Sequence, residues 1–358
     1  MPFMQNCEIK STFDCPDNIR EDVLDVMVNR SPTRTPFFSG FSKGVARAVL
    51  HEWQVDSLSR SSDPDNPVVR CAKESSDFDF EELDCPCRVG NQIHILRRTG
   101  DVSWLQREMA TIGYADEYAY QVNRQMKRLA LDTEFALIHS VRGNSTQVAP
   151  QADGVCASPS GCRTMDGILA MAAWDENTYD CLDDLKQGTV LDYSGSPCEP
   201  LTPYLIDNLA QIQYHKGADA GNIWVNTTLK RRISSFYFAG QTRNSEAGDK
   251  KIINGVDVYD SDFGKKMINI HLDLPTDTLL MLDEQYMGIA FAYPTRVKPL
   301  AQVSNSDKFG LEHALTLEGR ALVAIGVISG LCTDDILWCN PCDTSANPVV
   351  APNLPMPR

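Results

Sequence analysis

The chain has 358 residues, with 33 lysine and arginine residues against 48 aspartate and glutamate residues, so its formal net charge at pH 7 is −15. Such an acidic protein does not coat nucleic acid through a general phosphate-neutralising surface, because that mode of binding needs a basic face. Hydrophobic residues make up 42% and charged residues 23% of the chain, which is typical of a folded protein.

The hydropathy pattern indicates a soluble protein. Residues 1–17 contain Glu8, Lys10 and Asp14 but no apolar core, so they do not form a signal peptide. The longest apolar run, Ala321 to Leu331, is far shorter than the ~20 residues that a membrane helix requires. We therefore expect a soluble protein made in a cytoplasm.

The first 45 residues predict an extended arm. Pro32, Pro36 and nearby glycines interrupt any long helix, although Glu21 to Met27 fits a short one. Phe37 and Phe38 follow in a polar, proline-containing context. Such a segment cannot bury two aromatic rings against itself, so we expect these rings to lie on another surface, either the body of the same subunit or a neighbour.

The next segments predict a long hairpin. Ala48 to Leu58 is a strand-like run that contains Trp53, and Asn91 to Leu96 alternates with the period of two that marks a half-exposed strand. A polar, proline-containing loop from Ser59 to Asp84 separates the two. The hairpin has few apolar residues of its own, so we expect another surface to support it.

The clearest helix spans Asp116 to Ser140. Apolar residues recur at the three- and four-residue spacing of one helical face, among them Val122, Met126 and Leu129. About 25 residues at 1.5 Å each give a length of roughly 37 Å, which suits a structural spine. A break rich in glycine, serine and proline follows from Gly143 to Gly161.

Short helices and strands fill the remainder of the chain. The predicted helices are Thr164–Trp174, Pro203–Lys216 and Thr228–Tyr237, with an acidic insertion between Asp175 and Pro200. The predicted strands are Asn222–Asn226, Val256–Tyr259, Met267–His271, Thr278–Leu282, Gly288–Tyr293 and two within Phe309–Leu331, around Glu318-Gly319-Arg320. The proline-rich tail from Asp343 to Arg358 is expected to be extended.

The twelve cysteines have four candidate roles. Only Cys339 and Cys342 have the CxxC spacing of a zinc or redox site, and the histidines are scattered, so both of these roles are disfavoured. Many of the cysteines fit as small buried hydrophobic residues. Others fit disulfides that form after release from a reducing cytoplasm. Cys156 and Cys162 bracket a short loop and are the predicted local pair.

Motifs for catalysis are missing from the sequence. It has no phosphate-binding glycine loop, and the serine in Gly326–Gly330 is one place out of register for a nucleophile elbow. The run from Asp175 to Asp180 lacks the turn glycine of a calcium loop. Asp283 and Glu284 are adjacent turn residues rather than a catalytic pair. We expect no catalytic site, no cofactor and no metal site.

Several segments follow one another in a characteristic order: Arg34-Thr35-Pro36-Phe37-Phe38-Ser39-Gly40, Glu52-Trp53-Gln54-Val55-Asp56-Ser57-Leu58, Asn91-Gln92-Ile93, Val102-Ser103, Asp132-Thr133-Glu134, Asp262-Phe263-Gly264, Leu282-Asp283, Leu300-Ala301 and Leu311-Glu312-His313-Ala314-Leu315-Thr316-Leu317. This ordered set resembles the major capsid proteins of tailed bacteriophages with the Hong Kong 97-like fold. The resemblance covers about residues 34–331 and is weak at its centre. Three features depart from it: Trp104 in place of a small residue, the acidic insertion, and the number of cysteines.

The resemblance implies an α+β fold with the parts of a capsid subunit. Their expected boundaries are an N-terminal arm at 1–47, an extended hairpin loop at 48–101, a peripheral domain with the spine helix at 102–161, an axial domain at 162–296, a return to the peripheral domain at 297–332 and a tail at 333–358. Phe37, Phe38 and Trp53 are the expected contacts between subunits.

The resemblance also implies a function. The chain would form hexamers and pentamers of an icosahedral head around double-stranded DNA, without sequence-specific DNA binding and without enzymatic activity. Its expected location is the virion, after assembly in the cytoplasm of a bacterial host, and its expected partners are itself and scaffolding, portal and decoration proteins. The acidity then has two explanations: solubility alone, or a wall that repels packed DNA. Three alternatives stay open: an encapsulin-like nanocompartment shell, a cysteine-dependent metal or redox enzyme, and an adhesion or binding module.

Overall fold

The structure, a computed structural model, describes residues 32–57, 74–75, 77, 85–109, 111, 113–142, 163–183, 185–195, 198–236, 257–302 and 304–333. The predicted helix at Glu21–Met27, most of the polar hairpin loop, the Cys156–Cys162 pair, the Cys339–Cys342 spacing and the proline-rich tail lie outside the described residues.

Helices and strands are mixed along the chain. The helices are α1 (Pro36–Gly40), α2 (Trp104–Glu108), α3 (Glu117–His139), α4 (Ile168–Ala172), α5 (Pro203–His215) and α6 (Thr227–Ser235). The strands are β1 (Ser42–Val45), β2 (Leu50–Val55), β3 (Cys87–Gln92), β4 (His94–Ser103), β5 (Thr189–Asp192), β6 (Asn222–Val225), β7 (Val258–Ser261), β8 (Gly264–Ile270), β9 (Leu279–Leu282), β10 (Met287–Pro299), β11 (Ser306–Gly319) and β12 (Ile325–Ser329). In the described part of the chain, no helix combines the length and hydropathy needed to cross a membrane.

The described strands form three sheets. A four-stranded sheet has the order β1-β10-β11-β4, a six-stranded sheet has the order β5-β12-β9-β6-β8-β7, and β2 pairs with β3 alone. The six-stranded sheet is mixed, because β12 runs parallel to β5 and antiparallel to β9, while β6 runs antiparallel to β9 and parallel to β8.

The chain divides into two compact units. The first contains Leu96–Asp132 and Thr295–His313, and the second contains Thr35–Ile95, Thr133–Pro294 and the described residues from Ala314 onward. Helix α3 and strands β10 and β11 each contribute residues to both units.

The core of the second unit forms where α5 and α6 meet the six-stranded sheet. Pro203 begins α5 with its backbone angle already suited to a helix. The apolar side chains of α5 lie at helical spacing on one face, whereas those of the strands alternate. The buried cluster contains Leu205, Ile206, Leu209 and Ala210 from α5, Leu229 and Ile233 from α6, and Ile223, Val225, Ile268, Leu279, Met281 and Ile328 from the sheet.

The core of the first unit surrounds Phe309. This fully buried ring packs with Leu129 of α3 and contacts the edge of Tyr118, with 5.3 Å between the ring centroids. Gly100 on β4 lies directly against the ring, and a Cβ at that position would collide with it. Only glycine therefore lets β4 approach this close.

The long amphipathic elements are confirmed. The predicted helix Asp116–Ser140 is α3, and Pro203–Lys216 is α5. The predicted hairpin is present as the antiparallel pair β2–β3, with Trp53 opposite Val89, but its second strand is Cys87–Gln92 and not Asn91–Leu96. Two apolar strands also flank Glu318-Gly319-Arg320, as expected.

One strand prediction is wrong. Asn91–Leu96 is not one strand: β3 ends at Gln92, β4 begins at His94, and the break falls at Ile93. The N–H of Ile93 still bonds to the Val49 carbonyl, after which β4 leaves the hairpin to join the four-stranded sheet. One alternating pattern therefore spans two strands that belong to different sheets.

Three further elements differ from expectation. The helix predicted over Thr164–Trp174 is only α4, because the preceding backbone bonds to other elements, including the N–H of Asp166 to Asn91 Oδ1. The acidic insertion contains β5, which its polar composition did not indicate. The described part of the arm is not simply extended: it holds the short helix α1 and then β1, which pairs in parallel with β10.

Substitution Phe309→Ala should destabilise the chain by about 3–5 kcal/mol, because it leaves a cavity around Gly100 and Tyr118 that the sheet cannot fill. Urea unfolding of unassembled subunits measures this change. The control Leu105→Ala removes a side chain that is 70% exposed in the same unit. It should change the free energy of unfolding by less than about 0.5 kcal/mol, and equal effects of the two substitutions would contradict the proposed core.

Candidate functional site

A buried carboxylate binds the first turn of α1. Glu134 of α3 is fully buried, and its Oε1 and Oε2 accept hydrogen bonds from the backbone N–H groups of Phe37 (2.8 Å) and Phe38 (2.7 Å). Its third partner is Nε2 of His271, 2.7 Å from Oε1. The first N–H groups of a helix have no partner within the helix, and here Glu134 supplies one for α1. We call Phe37, Phe38, Glu134 and His271 the arm anchor.

The protonation of His271 follows from its two contacts. The Asp273 N–H donates to Nδ1 at 3.1 Å, so Nδ1 is an acceptor. Nε2 therefore carries the proton and donates it to Glu134. The three donors satisfy both oxygens of the buried carboxylate, which offsets the cost of burying it.

The ring of Phe37 completes the arm anchor. It stacks on His271 at 4.8 Å and meets the edge of Trp224 at 4.9 Å, and it is only 1% exposed. The ring is expected from the sequence to lie on the body of its own subunit or on a neighbour, and within this subunit His271 and Trp224 cover it. Phe38 is partly exposed, with the Lys43 ammonium 5.6 Å from its ring centre, and stays a candidate for a contact between subunits.

Sequence reasoning missed Glu134 and His271 as a pair. Their positions are 137 residues apart, so no local spacing connects them. One signal was present, because Glu134 interrupts the apolar face of α3 between Leu129 and Leu137, where a charged residue needs a dedicated partner.

Substitution Glu134→Gln should release α1. The amide of glutamine has an NH₂ group in place of one carboxylate oxygen, so that group faces an N–H donor and cannot accept its hydrogen bond. Loss of a charge-assisted bond costs about 1.5–3 kcal/mol. Hydrogen exchange of the amides in residues 36–45 should accelerate about tenfold or more. The matched control is Glu52→Gln, which removes a partly exposed partner of Arg88 and should leave those amides protected. Unchanged exchange in Glu134→Gln would rule out the anchor.

The base of the hairpin is fastened by side chains of other elements. Trp53 Nε1 donates to the Gly319 carbonyl at 2.7 Å, and its ring stacks on Trp174 at a centroid distance of 6.2 Å. The Tyr179 hydroxyl donates to the Gly90 carbonyl at 2.6 Å and accepts from the Gly90 N–H at 3.2 Å. These contacts supply the support that a two-stranded hairpin lacks by itself.

Asn91 makes the densest polar contacts at this base. Its Nδ2 donates to the carbonyls of Asp166 (2.9 Å) and Leu317 (3.1 Å), and its Oδ1 accepts from the Asp166 N–H at 2.8 Å. Burial raises the pKa of the Asp166 carboxyl, while bonds from the Arg142 N–H and Trp174 Nε1 oppose the rise. Both ends of a fully buried amide are therefore satisfied, which fixes the direction of β3.

Among the described residues, two disulfides join distant parts of the second unit. Cys87 of β3 is bonded to Cys181, and Cys198 is bonded to Cys332. The paired positions lie 94 and 134 residues apart, so cysteine spacing gave no sign of either pair. Cys85 is an exposed free thiol.

An ionic network lies on the sheet strands of the first unit. Glu312 of β11 accepts a bond from Arg97 of β4 at 2.9 Å and another from Lys298 of β10. The Lys298 bond, reinforced by Arg97, holds the pKa of Glu312 below its usual range. Arg98 forms a bidentate pair with Asp132 of α3, at 2.5 and 2.6 Å.

The unexpected Trp104 has a local role in the same unit. Its indole N–H donates to Asp307 at 3.1 Å, and Arg107 donates to the other oxygen at 2.7 Å. Both bonds lower the pKa of Asp307, with the tryptophan bond the larger cause. A large residue is tolerated at this position because it caps the β10–β11 turn rather than entering the core.

The Glu312 network should weaken in acid. A carboxyl whose folded pKa is depressed contributes stability above its unfolded pKa of about 4.3, and that contribution is lost as the pH falls through the folded value. Above about pH 5, Glu312→Gln should therefore have a lower urea midpoint than the wild type, and the two midpoints should converge below about pH 3. A constant difference across this range would show that Glu312 contributes through shape alone.

The residues weighed for chemistry serve local structure instead. Asp283 accepts the N–H of Gln285 at 3.1 Å in a turn, and Glu284 accepts from Trp224 Nε1 at 3.1 Å. Asp175 accepts the N–H groups of Asn177 and Thr178. Within the described ranges, no three histidine, cysteine, aspartate or glutamate residues group as metal ligands.

Comparison with solved structures identifies the fold. The chain is similar to the capsid of a native GTA particle (13% identity, TM-score 0.59, covering 91% of this chain and 100% of that one). It is also similar to the Cyanophage A-1(L) capsid, with 13% identity and a TM-score of 0.61, covering 90% of this chain and 99% of that one. The similarity to an encapsulin complex from Synechococcus elongatus is lower, with 9% identity and a TM-score of 0.52, covering 93% of this chain and 99% of that one. The expected Hong Kong 97-like α+β fold of phage capsid proteins is thereby confirmed.

The family follows from the sequence comparison. The model of the SU10 major capsid protein matches residues 6–332, which is most of the chain. The chain belongs to the SU10 major capsid protein family, and its role is that of a capsid shell protein. No curated protein sequence matches it significantly.

Proposed function

We propose that this chain assembles with copies of itself into hexamers and pentamers, and that these close into an icosahedral head around the double-stranded DNA of a tailed phage. The observation that carries the proposal is the family match over residues 6–332. The chain acts as a structural element without catalysis, and the formal charge of −15 supports a wall that encloses DNA without binding its sequence.

The hairpin supports this proposal. β2 and β3 pair only with each other in the described structure, and Glu52 and Gln54 of β2 and Arg88 of β3 are exposed. A neighbouring subunit would cover the outer face of such a ribbon. Trp53 lines an open groove of about 510 Å³ together with Arg47, Leu50 and Arg88, so we retain it, with Phe38, as a contact between subunits.

Exposed apolar side chains give further support. Val45 and Val49, just before the hairpin, are 70% and 52% exposed, and Leu105 and Met109 around α2 are similarly open. Clusters of this kind mark interaction surfaces in soluble proteins. Burial of such surfaces in every copy would stabilise a shell by repetition, even where each contact is weak.

Assembly would proceed in the cytoplasm of a bacterial host, with scaffolding, portal and decoration proteins as further partners. The axial domain (162–296) would form the capsomer centre, and the arm (1–47) and hairpin loop (48–101) would clamp neighbouring subunits. During expansion these two elements would reorient against the peripheral segments (102–161 and 297–332).

A nanocompartment shell is the second candidate. The similarity to the Synechococcus elongatus encapsulin favours it, with 93% of this chain covered at a TM-score of 0.52. The two functions differ in content, because a phage head holds DNA and a nanocompartment holds a packaged protein. Nuclease-protected DNA in particles from infected cells would support the head, and a protein cargo without DNA would support the nanocompartment.

The first test is negative-stain electron microscopy of the expressed chain, alone and with a scaffold encoded nearby. We expect closed shells, or hexameric and pentameric rings. A monodisperse monomer under both conditions would contradict the proposal. Metal analysis and thiol titration of that monomer would then address the enzyme alternative.

Truncation of the arm tests the clamp. Deletion of residues 1–40 would also remove Phe37 and Phe38, whose N–H groups donate to the buried Glu134, so a folding defect could not be told from an assembly defect. Deletion of residues 1–31 keeps the arm anchor. We expect this variant to fold with protected amides in residues 36–45 and to yield about tenfold fewer closed particles, because each subunit loses one of its repeated contacts. A normal yield of particles would eliminate the arm as a clamp.

A further inference from the structure

The segment between Cys181 and Cys198 is covalently held at both ends. Cys181 bonds to Cys87 on the hairpin strand β3, and Cys198 bonds to Cys332 just after β12. The Cα–Cα distances are 5.2 and 5.1 Å, within the usual range for disulfides. We call these four cysteines the double staple.

Noncovalent contacts hold the middle of this segment at the sheet. In the described structure it contains β5, an edge strand of four residues that pairs with β12. The Tyr193 N–H donates to the Ser329 carbonyl, the Ser329 hydroxyl donates to Asp192 Oδ1 at 3.1 Å, and Leu191 and Tyr193 pack against the core cluster. An edge strand has a bonded neighbour on one side alone, so fixing its two ends further restricts its local opening.

Each bond of the double staple also fixes a second element. Cys87 begins β3 opposite Val55, at the loop end of the β2–β3 ladder, whose anchoring contacts through Trp53, Gly90 and Asn91 are all noncovalent. The bond to Cys181 adds a covalent tie to that ladder. At the other end, Cys332 lies three residues after the end of β12, and its N–H donates to the Glu199 carbonyl at 2.9 Å. The disulfide to Cys198 adds a covalent bond to this contact.

The exposure of the cysteines suits oxidation from solution. Cys181 and Cys198 are exposed, whereas Cys87 is fully buried and Cys332 is half-buried. Each pair therefore has one thiol that a small oxidant can reach and one that is positioned to complete the bond. Since each bond closes a loop of roughly a hundred residues, it should restrict the open states strongly.

We propose that the double staple is a redox-controlled lock: the four cysteines are thiols in the reducing cytoplasm where the chain is made, and they oxidise after release. The oxidised lock holds the β2–β3 ladder, β5 and the chain just after β12 in one arrangement. Its consequence for particles rests on the proposed shell function, because a locked ladder would prevent reorientation of the hairpin in a finished shell.

The chemistry balances with a low-molecular-weight disulfide as the oxidant. The thiolate of Cys181 attacks one sulfur of the small disulfide and expels one small thiol, which leaves a mixed disulfide. The thiolate of Cys87 then attacks the Cys181 sulfur and expels the second small thiol. Two cysteine thiols are oxidised and one small disulfide is reduced to two thiols, and the same steps join Cys198 to Cys332.

The first experiment measures timing. Cells that express the full chain are acid-quenched and alkylated, and the four cysteines are mapped by mass spectrometry. A second sample is purified under reducing conditions and then treated with oxidised glutathione. We expect alkylated cysteines in cells, and Cys87–Cys181 and Cys198–Cys332 linkages after treatment. Linkages already complete in cells, or other pairings after treatment, would overturn the proposal.

The second experiment measures the lock in unassembled subunits. Oxidation should slow thermolysin cleavage within residues 181–198 by at least about tenfold, since it suppresses opening of the segment. Cys181→Ser combined with Cys332→Ser should lose this protection. The matched control is Cys85→Ser, which removes the exposed thiol two residues from Cys87 and should keep it. Equal cleavage of the oxidised and reduced wild type would refute the lock.

This design separates the lock from shell formation. Both readouts use single subunits, so a chain that locks but never forms shells in electron microscopy refutes only the proposed function. Where shells form, those of the oxidised wild type and of Cys85→Ser should withstand urea at least about tenfold longer than reduced shells. Shells whose survival is independent of reductant would contradict the lock's role in the particle.

Discussion

The described arm depends on its contact with a fully buried carboxylate, that of Glu134. An isolated charge in a protein interior is strongly unfavourable, so Glu134 is compatible with the fold only when its donors are present. Two of those donors are backbone N–H groups of the arm, and the third is His271. The start of α1 and the last turns of α3 are therefore held together by these hydrogen bonds. The ring of Phe37 packs beside them, against His271 and Trp224.

The hairpin follows the same physical logic with different chemistry. Its strands cannot form a core alone, so its paired strands are fixed by a tryptophan, a buried amide and a disulfide, while its outer faces stay exposed. The anchoring contacts are concentrated on the β2–β3 ladder. Such an element is rigid where it joins the subunit and open where a neighbouring subunit would cover it, which is what assembly by repeated contacts requires.

Local patterns located the regular elements well. Helices α3 and α5 were predictable because their apolar residues recur at helical spacing over many turns. Strand β2 was predictable from its strand-like run, whereas the alternation at Asn91–Leu96 placed its partner too late, because β3 is Cys87–Gln92. Short elements failed, because their patterns are too brief to outweigh tertiary contacts. β5 lies in an acidic segment and is a strand only because β12 lies beside it, and α4 begins late because Asn91 occupies the backbone before it.

The sequence by itself determined the class of fold, the spine-length helix, the hairpin and the family resemblance, since each depends on residues close together in the chain or on an order of motifs. Tertiary structure alone decided the Glu134–His271 pair and both disulfides. Their partners are 94 to 137 residues apart, and any of twelve cysteines or 48 acidic residues could have been chosen. Such contacts carry no spacing signal, because the partners meet only after the sheets and α3 have formed.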